Sequence, residues 1–245
     1  MSGQIVLFDI PSKQGTCWSL NPWKTRLLLN YKGLDYRTEW LEYPNIRPTL
    51  EPHLPNNGSS TPYTIPTILL PSGTYIMDSR AIATALEAAH PSPPLHLDSP
   101  ALPRLESLLR RVMIALKPIY IVRVPKVILN EASVPFWNET RAAAQGVTSL
   151  EEYERANVDL GPRWEEAEPA LREVTDLLGE APPGKGPFFL GNVVSYADFV
   201  WAGFLIFMGR LGEDVLEEVL VRSGGGERHR ALLEGLGPWV KRAGH

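Results

Sequence analysis

The spacing of apolar residues in the first part of the chain predicts alternating strands and helices. A short apolar run at residues 5–8 is typical of a buried strand. A helix is expected to begin after Asn21, which suits the N-cap, with Pro22 in its first turn and Gly33 just past its end. Residues 36–40 then alternate between apolar and polar side chains, which indicates a second strand.

The prolines concentrated in residues 44–71 predict a long irregular link, followed by a hairpin and another helix. Residues 64–70 and 74–77 flank a turn at Pro71-Ser72-Gly73. Asp78 and Ser79 can cap the helix that follows. The order βαβ, link, ββα requires parallel strands first and antiparallel strands afterwards. This is the order of a thioredoxin-like α/β domain, which we place at residues 1–91.

From residue 100 onward the pattern changes from strands to helices. Apolar residues recur at helical spacing over residues 102–116, and Pro118 and Pro125 are expected to kink or end that run. Residues 150–178 also read as helical, with a break near Gly161. A proline-rich segment at residues 91–100 resembles a linker. The predicted architecture is therefore α/β plus all-α, with a C-terminal helical bundle domain at residues 100–245.

One helix start in the second domain has a distinct signature. Ser195 and Asp198 have the spacing of a capping box, and Val194 can pack on Phe199 as a hydrophobic staple. Residues 199–208 are apolar on all sides, so this helix is expected to be the buried spine of the domain. We interpret Asp198 as a structural cap and not as a catalytic carboxylate.

Composition narrows the function classes. The net charge of −4 and the lack of a Lys/Arg cluster argue against nucleic-acid binding. A single cysteine, Cys17, cannot form an internal disulfide, which favours a reducing compartment. The longest apolar run is shorter than the roughly 18 residues needed to span a bilayer, and the N-terminal residues do not resemble a signal peptide. We therefore expect a cytoplasmic protein that needs no membrane and no metal.

Three local motifs, in this order along the chain, resemble the cytosolic glutathione transferase superfamily. They are Thr64-Ile65-Pro66-Thr67, Met77-Asp78-Ser79 and residues 191–198. The resemblance covers nearly the whole chain and implies glutathione as co-substrate, a helical domain that lines a hydrophobic site, and a homodimer. Asp9-Ile10-Pro11-Ser12 and residues 18–26 further resemble the fungal-specific class A transferases, which are similar to bacterial β-etherases.

Such an enzyme must present glutathione as a thiolate. A free thiol has a pKa of about 8.5, and a hydroxyl donor or a helix N-terminus lowers it by stabilising the anion. In related classes the active residue and the glycine ending the first helix span fifteen positions, and Ser19 to Gly33 matches that spacing. Ser19 is thus the predicted catalytic residue. Two alternatives stay open: Cys17, which would form a mixed disulfide, and Asn21, whose amide could donate.

The resemblance also implies the other glutathione contacts. The backbone of Ile65, before a cis Pro66, would pair with the cysteinyl part. Asp78 would bind the γ-glutamyl amine, and Ser79 its carboxylate at the start of a helix.

The glycyl carboxylate needs a cation or a strong donor, and His53 and Lys24 are candidates. Lys24 is also interpreted, together with Arg26, as a structural or solvated side chain of the first helix.

The co-substrate site is expected between the Ser19 loop and the first helices of the second domain. Its predicted wall residues are Trp18, Met113, Tyr120, Arg123 and Trp137, although aromatic residues at such positions belong to the core more often than to a pocket. The polar, irregular segment 130–148 is a predicted lid. The leading function is attack of glutathione on a hydrophobic or aromatic electrophile. Ether cleavage, glutathione-dependent isomerisation and non-catalytic binding of aromatic compounds (a ligandin) are the alternatives.

Overall fold

A mixed four-stranded sheet forms the first part of the structure. The computed structural model describes residues 3–56, 58, 61–181 and 186–240. Its strands are β1 (Ile5–Asp9), β2 (Tyr36–Trp40), β3 (Thr67–Leu69) and β4 (Tyr75–Met77). The sheet order is β2-β1-β3-β4, with β1 parallel to β2 and antiparallel to β3, and β3 antiparallel to β4. This topology confirms the predicted thioredoxin-like order.

Helices accompany the sheet, and in the described residues after it all the elements are helices joined by loops and two isolated β-bridges. Those of the first part are α1 (Leu20–Tyr31), α2 (Tyr43–Leu50) and α3 (Ser79–Ala89). Those of the second part are α4 (Ala101–Ala115), α5 (Lys117–Val127), α6 (Val134–Gln145), α7 (Leu150–Ala156), α8 (Gly161–Leu178), α9 (Tyr196–Leu211), α10 (Glu213–Arg222), α11 (Gly226–Gly235) and α12 (Gly237–Val240). The predicted all-helical second part is confirmed.

Helix α9 is the buried spine that the sequence predicts. Thirteen of its residues are buried, and its start carries the predicted capping box, in which the Asp198 carboxylate accepts from the backbone N–H and the hydroxyl of Ser195, each at 2.7 Å. A third donor, the backbone N–H of Phe189, lies 2.9 Å from the same carboxylate. Burial raises the pKa of Asp198 to about 6 although all three donors favour the ionised form. The side chain is fully used as a cap.

Two charged contacts join helices to their surroundings in the first part. Arg26 on α1 donates from Nε to Asp9 Oδ2 at 2.9 Å, and both side chains are buried. Lys32, at the end of α1, donates from Nζ to Glu87 Oε2 at 2.6 Å and to the Pro93 carbonyl at 2.9 Å. Arg26 is thus structural, as interpreted from the sequence, and Lys32 holds the connection between the two parts.

The sequence was wrong about the start of α1. Asn21 is not the N-cap, because the helix begins at Leu20 and Ser19 occupies the N-cap position. The N–H groups in the first turn of a helix have no hydrogen-bond partner within the helix, so proline, which lacks an N–H, is tolerated at several positions of that turn. Pro22 therefore does not define a single helix start.

Two segments predicted to be irregular contain helices. Tyr43–Leu50 forms α2 with Pro44 in its first turn, although prolines here predicted a loop. Val134–Gln145 forms α6 within the segment predicted to be an irregular lid. Pro135 in the first turn and Gly146 at the C-cap, with φ of +68°, are signals of a helix start and a helix end. The helix was missed because the segment was interpreted as polar and irregular.

Candidate functional site

A cleft of about 640 Å³ lies where the sheet domain meets the helical domain. It is bordered by the starts of α1, α2 and α3 on one side and by α4, α5, α6 and α9 on the other. Its lining residues are Trp18, Ser19, Leu20, Asn21, Lys24, Tyr43, Asp78, Ser79, Arg80, Glu106, Leu109, Arg110, Met113, Tyr120, Trp137, Arg141 and Phe207. A second depression, of about 410 Å³, lies between α4 and α8, where Arg104 and Arg111 pair with glutamates. Of these two depressions, only the first is lined by residues that the sequence analysis predicted for the site.

Ser19 lies at the entrance to α1 with its hydroxyl not used for capping. Its backbone is extended, with φ of −74° and ψ of 134°, and its carbonyl accepts the first helical hydrogen bond from Trp23 at 3.1 Å. The side chain makes no capping hydrogen bond to the helix. A half-buried hydroxyl next to the N–H groups of a 12-residue helix can stabilise an anion in the cleft.

Cys17 lies two residues away in a very different environment. It is fully buried and does not line the cleft. Removal from water raises the pKa of its thiol to about 12, against the weaker opposing effect of Arg26. Its backbone carbonyl accepts a hydrogen bond from Arg210 Nε at 3.1 Å. A thiol in this state is neither ionised at neutral pH nor within reach of a ligand.

Asp78 and Ser79 form the start of α3 on the floor of the same cleft. Asp78 has a φ of +82°, a conformation that non-glycine residues rarely adopt and that concentrates at functional sites. Its carboxylate accepts from the backbone N–H groups of Arg80 and Ala81 at 2.8 and 3.1 Å, which confirms the predicted cap. Ser79 is buried as the first residue of the helix.

The helical domain fixes the position of this helix start. The phenol of Tyr196, at the first residue of α9, donates to the backbone carbonyl of Ser79 at 3.0 Å. The Tyr196 side chain is buried, and burial raises the pKa of its hydroxyl well above the usual value, so it remains a donor. The spine of the second domain therefore supports the floor of the cleft in the first.

Ile65 and Pro66 lie next to this helix start without lining the cleft. The Ile65–Pro66 peptide bond is cis, as expected. The Pro66 carbonyl accepts from the Asp78 N–H at 3.2 Å, which brings the loop against the cleft floor. His53 lies further away, exposed, with its ring stacked 4.4 Å from the ring of Tyr75.

Asn21 and Lys24 line the cleft together on the first turns of α1. The Asn21 side chain is exposed and its Oδ1 accepts from Lys24 Nζ at 2.8 Å. Partial burial lowers the pKa of Lys24 to about 8, while the charges of Glu106 and Asp78 act in the opposite direction. Lys24 thus lines the cleft, and its role as the partner of the glycyl carboxylate stays a prediction.

The predicted aromatic wall is present, with one exception among its members. Trp18, Met113, Tyr120 and Trp137 line the cleft, and the rings of Trp18 and Tyr120 each lie 6.0 Å from that of Phe207. Phe207 was missed because every face of α9 is apolar in sequence.

Arg123 does not reach the cleft. It turns away to form a two-pronged ion pair with Asp214 of α10 at 2.6 and 2.9 Å. The geometry therefore does not support Arg123 as a wall residue, because its charge is paired with Asp214 outside the cleft.

Two cleft residues that the sequence analysis did not name lie on the helices that it did not predict. Tyr43 opens α2, and Arg141 lies on α6 with its guanidinium carbon 5.3 Å from the centre of the Tyr43 ring and 4.1 Å from that of Trp137. The starts of α2 and α6 are joined by Ser133, whose Oγ accepts from the Tyr43 N–H at 2.9 Å. No local sequence signal distinguishes these residues from surface ones.

Two further properties concern the described ranges only. Within residues 3–56, 58, 61–181 and 186–240, no three His, Cys, Asp or Glu side chains are grouped to hold a metal ion. In the same part of the chain, no helix combines the length and apolar character needed to cross a membrane.

Comparisons with known proteins agree with the fold. Residues 18–89 match the model of the glutathione S-transferase N-terminal domain, and residues 106–239 match that of a glutathione S-transferase C-terminal domain. The glutathione S-transferase-like protein ustS of Aspergillus flavus is 30% identical over 249 residues, which cover 93% of this chain and 86% of that protein.

Solved fungal structures are similar over nearly the whole length. The glutathione S-transferase CsGST63524 of Ceriporiopsis subvermispora, in complex with glutathione, has a TM-score of 0.81 at 29% identity and covers 97% of this chain and 98% of its own. Glutathione transferase GSTFuA2 of Phanerochaete chrysosporium has a TM-score of 0.82 at 26% identity, with coverage of 99% and 100%. The narrower class A relationship stays a prediction.

Proposed function

Because the chain belongs to the glutathione S-transferase family, we propose that Ser19 holds bound glutathione as a thiolate for attack on an aromatic electrophile. The observation that carries this proposal is the Ser19 hydroxyl, which makes no capping hydrogen bond to α1. It lies in the same cleft as the start of α3 and the aromatic wall. Stabilising the sulfur anion requires a donor and a positive helix end, and the start of α1 offers both.

Glutathione would lie across the starts of α1 and α3. Its γ-glutamyl carboxylate would meet the N-terminus of α3 at Ser79, and its amine the carboxylate of Asp78. Its cysteinyl part would run along Ile65 as an added strand. The glutathione complex of the Ceriporiopsis subvermispora relative supports this choice of co-substrate.

The chemical step is a nucleophilic substitution. The thiol releases its proton to solvent, and the resulting thiolate accepts the Ser19 O–H hydrogen bond. The sulfur then forms a bond to the electrophilic carbon while the leaving group departs with the bonding electrons. Trp18, Tyr120 and Phe207 would hold the aromatic co-substrate against that sulfur.

Cys17 is the alternative catalytic residue, and its environment favours Ser19. A mixed disulfide with glutathione would require an exposed thiolate, whereas this thiol is buried and has its pKa raised to about 12.

The test compares conjugation of glutathione to an activated aryl halide by the wild type, Ser19→Ala, Cys17→Ala and Ser72→Ala. Ser72 is an exposed hydroxyl in the β3–β4 turn, bonded to Thr74, and serves as the matched serine control. A hydrogen bond to a charged group is worth about 1.5–3 kcal/mol, so kcat/KM should fall roughly 10- to 150-fold in Ser19→Ala alone. The pKa of bound glutathione, read from the pH profile of kcat/KM for the aryl halide at saturating glutathione, should rise in the same variant.

A loss confined to Cys17→Ala, with full activity in Ser19→Ala, would contradict the proposal. Binding of glutathione by the wild type without any conjugation would instead favour the ligandin alternative.

A further inference from the structure

One partly buried arginine of the cleft has two aromatic neighbours and no carboxylate partner. Arg141 lies half-buried on α6, with its guanidinium stacked near Trp137 and Tyr43. Its Nη1 donates to Thr140 Oγ1 at 2.9 Å. Among the described residues no carboxylate lies within ion-pair distance of it.

The other partly buried cations of the cleft are engaged. Arg80 pairs with Glu106 at 3.2 Å, and Lys24 donates to Asn21 while facing the charges of Asp78 and Glu106. Arg110 also lines the cleft and has no ion pair among the described residues, but its side chain is exposed to solvent and not partly buried. Arg141 is therefore the partly buried cation that can still take an anionic partner.

The shape of the guanidinium restricts that partner. Five N–H donors in a fixed plane suit a carboxylate or another oxyanion, which they bind in two-pronged fashion. Stacking on Trp137 and Tyr43 holds this plane in place before a ligand arrives. The arrangement is a prepared anion-binding position and not a mobile surface arginine.

Its neighbours place the position at the aromatic end of the cleft. The charge of Arg141 acts on Tyr43 and Tyr120, opposing the rise in pKa that burial causes in each phenol. The charges at the α3 start act on Lys24 instead. The anion that Arg141 meets would thus lie beside the wall formed by Tyr120 and Phe207.

We propose that the co-substrate is an aromatic compound with an anionic substituent, a carboxylate, sulfonate or phenolate, which Arg141 binds while the ring packs on the Tyr120–Phe207 wall. This inference rests on the proposed function only in taking the cleft as the co-substrate site.

The test uses two fluorescent probes with the same skeleton. Anilinonaphthalenesulfonate carries a negative charge, and its parent N-phenylnaphthylamine is neutral. Each is titrated against the full-length wild type, Arg141→Met, Arg141→Lys and Arg163→Met, with and without saturating glutathione. Arg163 is a surface arginine paired with Glu166 at 2.8 Å, so Arg163→Met removes the same charge outside the cleft. Glutathione affinity of each variant is measured by calorimetry.

We expect the Kd of the sulfonate to rise at least about tenfold in Arg141→Met, as for loss of a charged hydrogen-bond pair. The neutral probe should weaken far less, Arg141→Lys should fall between the two, and Arg163→Met should match the wild type. Equal weakening of both probes would reduce Arg141 to a packing role, and no weakening would also overturn the proposal.

Weakened glutathione binding with unchanged probe binding would assign Arg141 to a glutathione carboxylate and would overturn the proposal as well. Probe binding requires no turnover, so its outcome is independent of the Ser19→Ala result. If sulfonate binding depends on Arg141 while Ser19→Ala keeps its full conjugation activity, only the proposed role of Ser19 is refuted.

Discussion

Replacing Gly203 by alanine tests how tightly α9 fixes the position of the loop that carries Ser19. Gly203 lies in the middle of α9, where α1 crosses it. A Cβ at this position would lie 2.8 Å from the backbone carbonyl oxygen of Leu20 and 3.5 Å from Trp23 Cβ. The first contact is closer than real methyl groups tolerate, and a backbone atom cannot rotate aside. The start of α1 must therefore move, and Leu20 directly follows Ser19.

The expected magnitude follows from two opposing effects. Relieving the contact from 2.8 Å to an ordinary 3.4 Å moves backbone within a packed core, and overpacking of this kind costs about 1–3 kcal/mol. Alanine is a better helix former than glycine by about 1 kcal/mol, which offsets part of that cost. We expect a net loss of about 1 kcal/mol in the free energy of unfolding, or roughly 2–4 °C in Tm for a chain of this size.

The effect on conjugation should exceed the effect on stability. A misplacement of about 1 Å in a reacting group can cost about 100-fold in rate, so a shift of roughly half that size should lower kcat about tenfold. Binding of glutathione at the α3 start should change less, because the three atoms nearest to the added methyl group all belong to α1.

Gly209→Ala, in the same helix, is the matched control. Its added methyl would meet only the flexible end of Leu216, at 3.4 Å, so helix propensity should dominate and raise the unfolding free energy by up to about 1 kcal/mol. Denaturant unfolding and steady-state conjugation of both variants provide the measurements. If the two variants prove equally stable and equally active, the close approach of α9 to the Ser19 loop has no functional meaning.

Three further changes test other contacts. Tyr196→Phe removes the hydrogen bond to the Ser79 carbonyl and should raise KM for glutathione several-fold more than it lowers kcat, in initial-rate measurements; an unchanged KM would refute the positioning role. Lys32→Met leaves the half-buried Glu87 without its cation and should cost about 2–4 kcal/mol in urea unfolding, and Glu87→Gln in the same background should recover part of it. Asp198 has a pKa raised to about 6 from 3.8, so the native state binds more protons than the unfolded state between about pH 4 and 6, and this group makes stability fall as pH rises through that window. In Asp198→Asn that pH-dependent part should vanish while stability at pH 7 falls by about 2 kcal/mol or more, since three donors lose their carboxylate; a wild-type-like pH profile would contradict the assignment.

Local patterns in the sequence were enough for most of the fold. Strand alternation at residues 36–40, the apolar run at β1 and the hairpin around Gly73 are set by short-range backbone and turn preferences, and the structure confirms them. The capping box at Ser195 is likewise a matter of residues three apart. The prolines led to two wrong predictions because the first turn of a helix accepts proline. A loop was predicted where α2 lies, and the predicted start of α1 was too late in the chain.

The site divides in the same way. A helix start can be read from adjacent residues, so the sequence alone identified Asp78 and Ser79 as the cap of α3. Ser19 was identified instead by its fifteen-residue span to Gly33, which related classes share, because the local pattern placed the start of α1 after Asn21. Arg123 and Arg141 look alike in sequence, yet one meets Asp214 outside the cleft and the other stacks on Trp137 inside it. That difference depends on which helices pack side by side, a long-range outcome of core packing that no local pattern encodes. The sequence alone indicated which helix starts are candidates to bind an anion, and only the tertiary structure decided which of the two arginines lines the cleft.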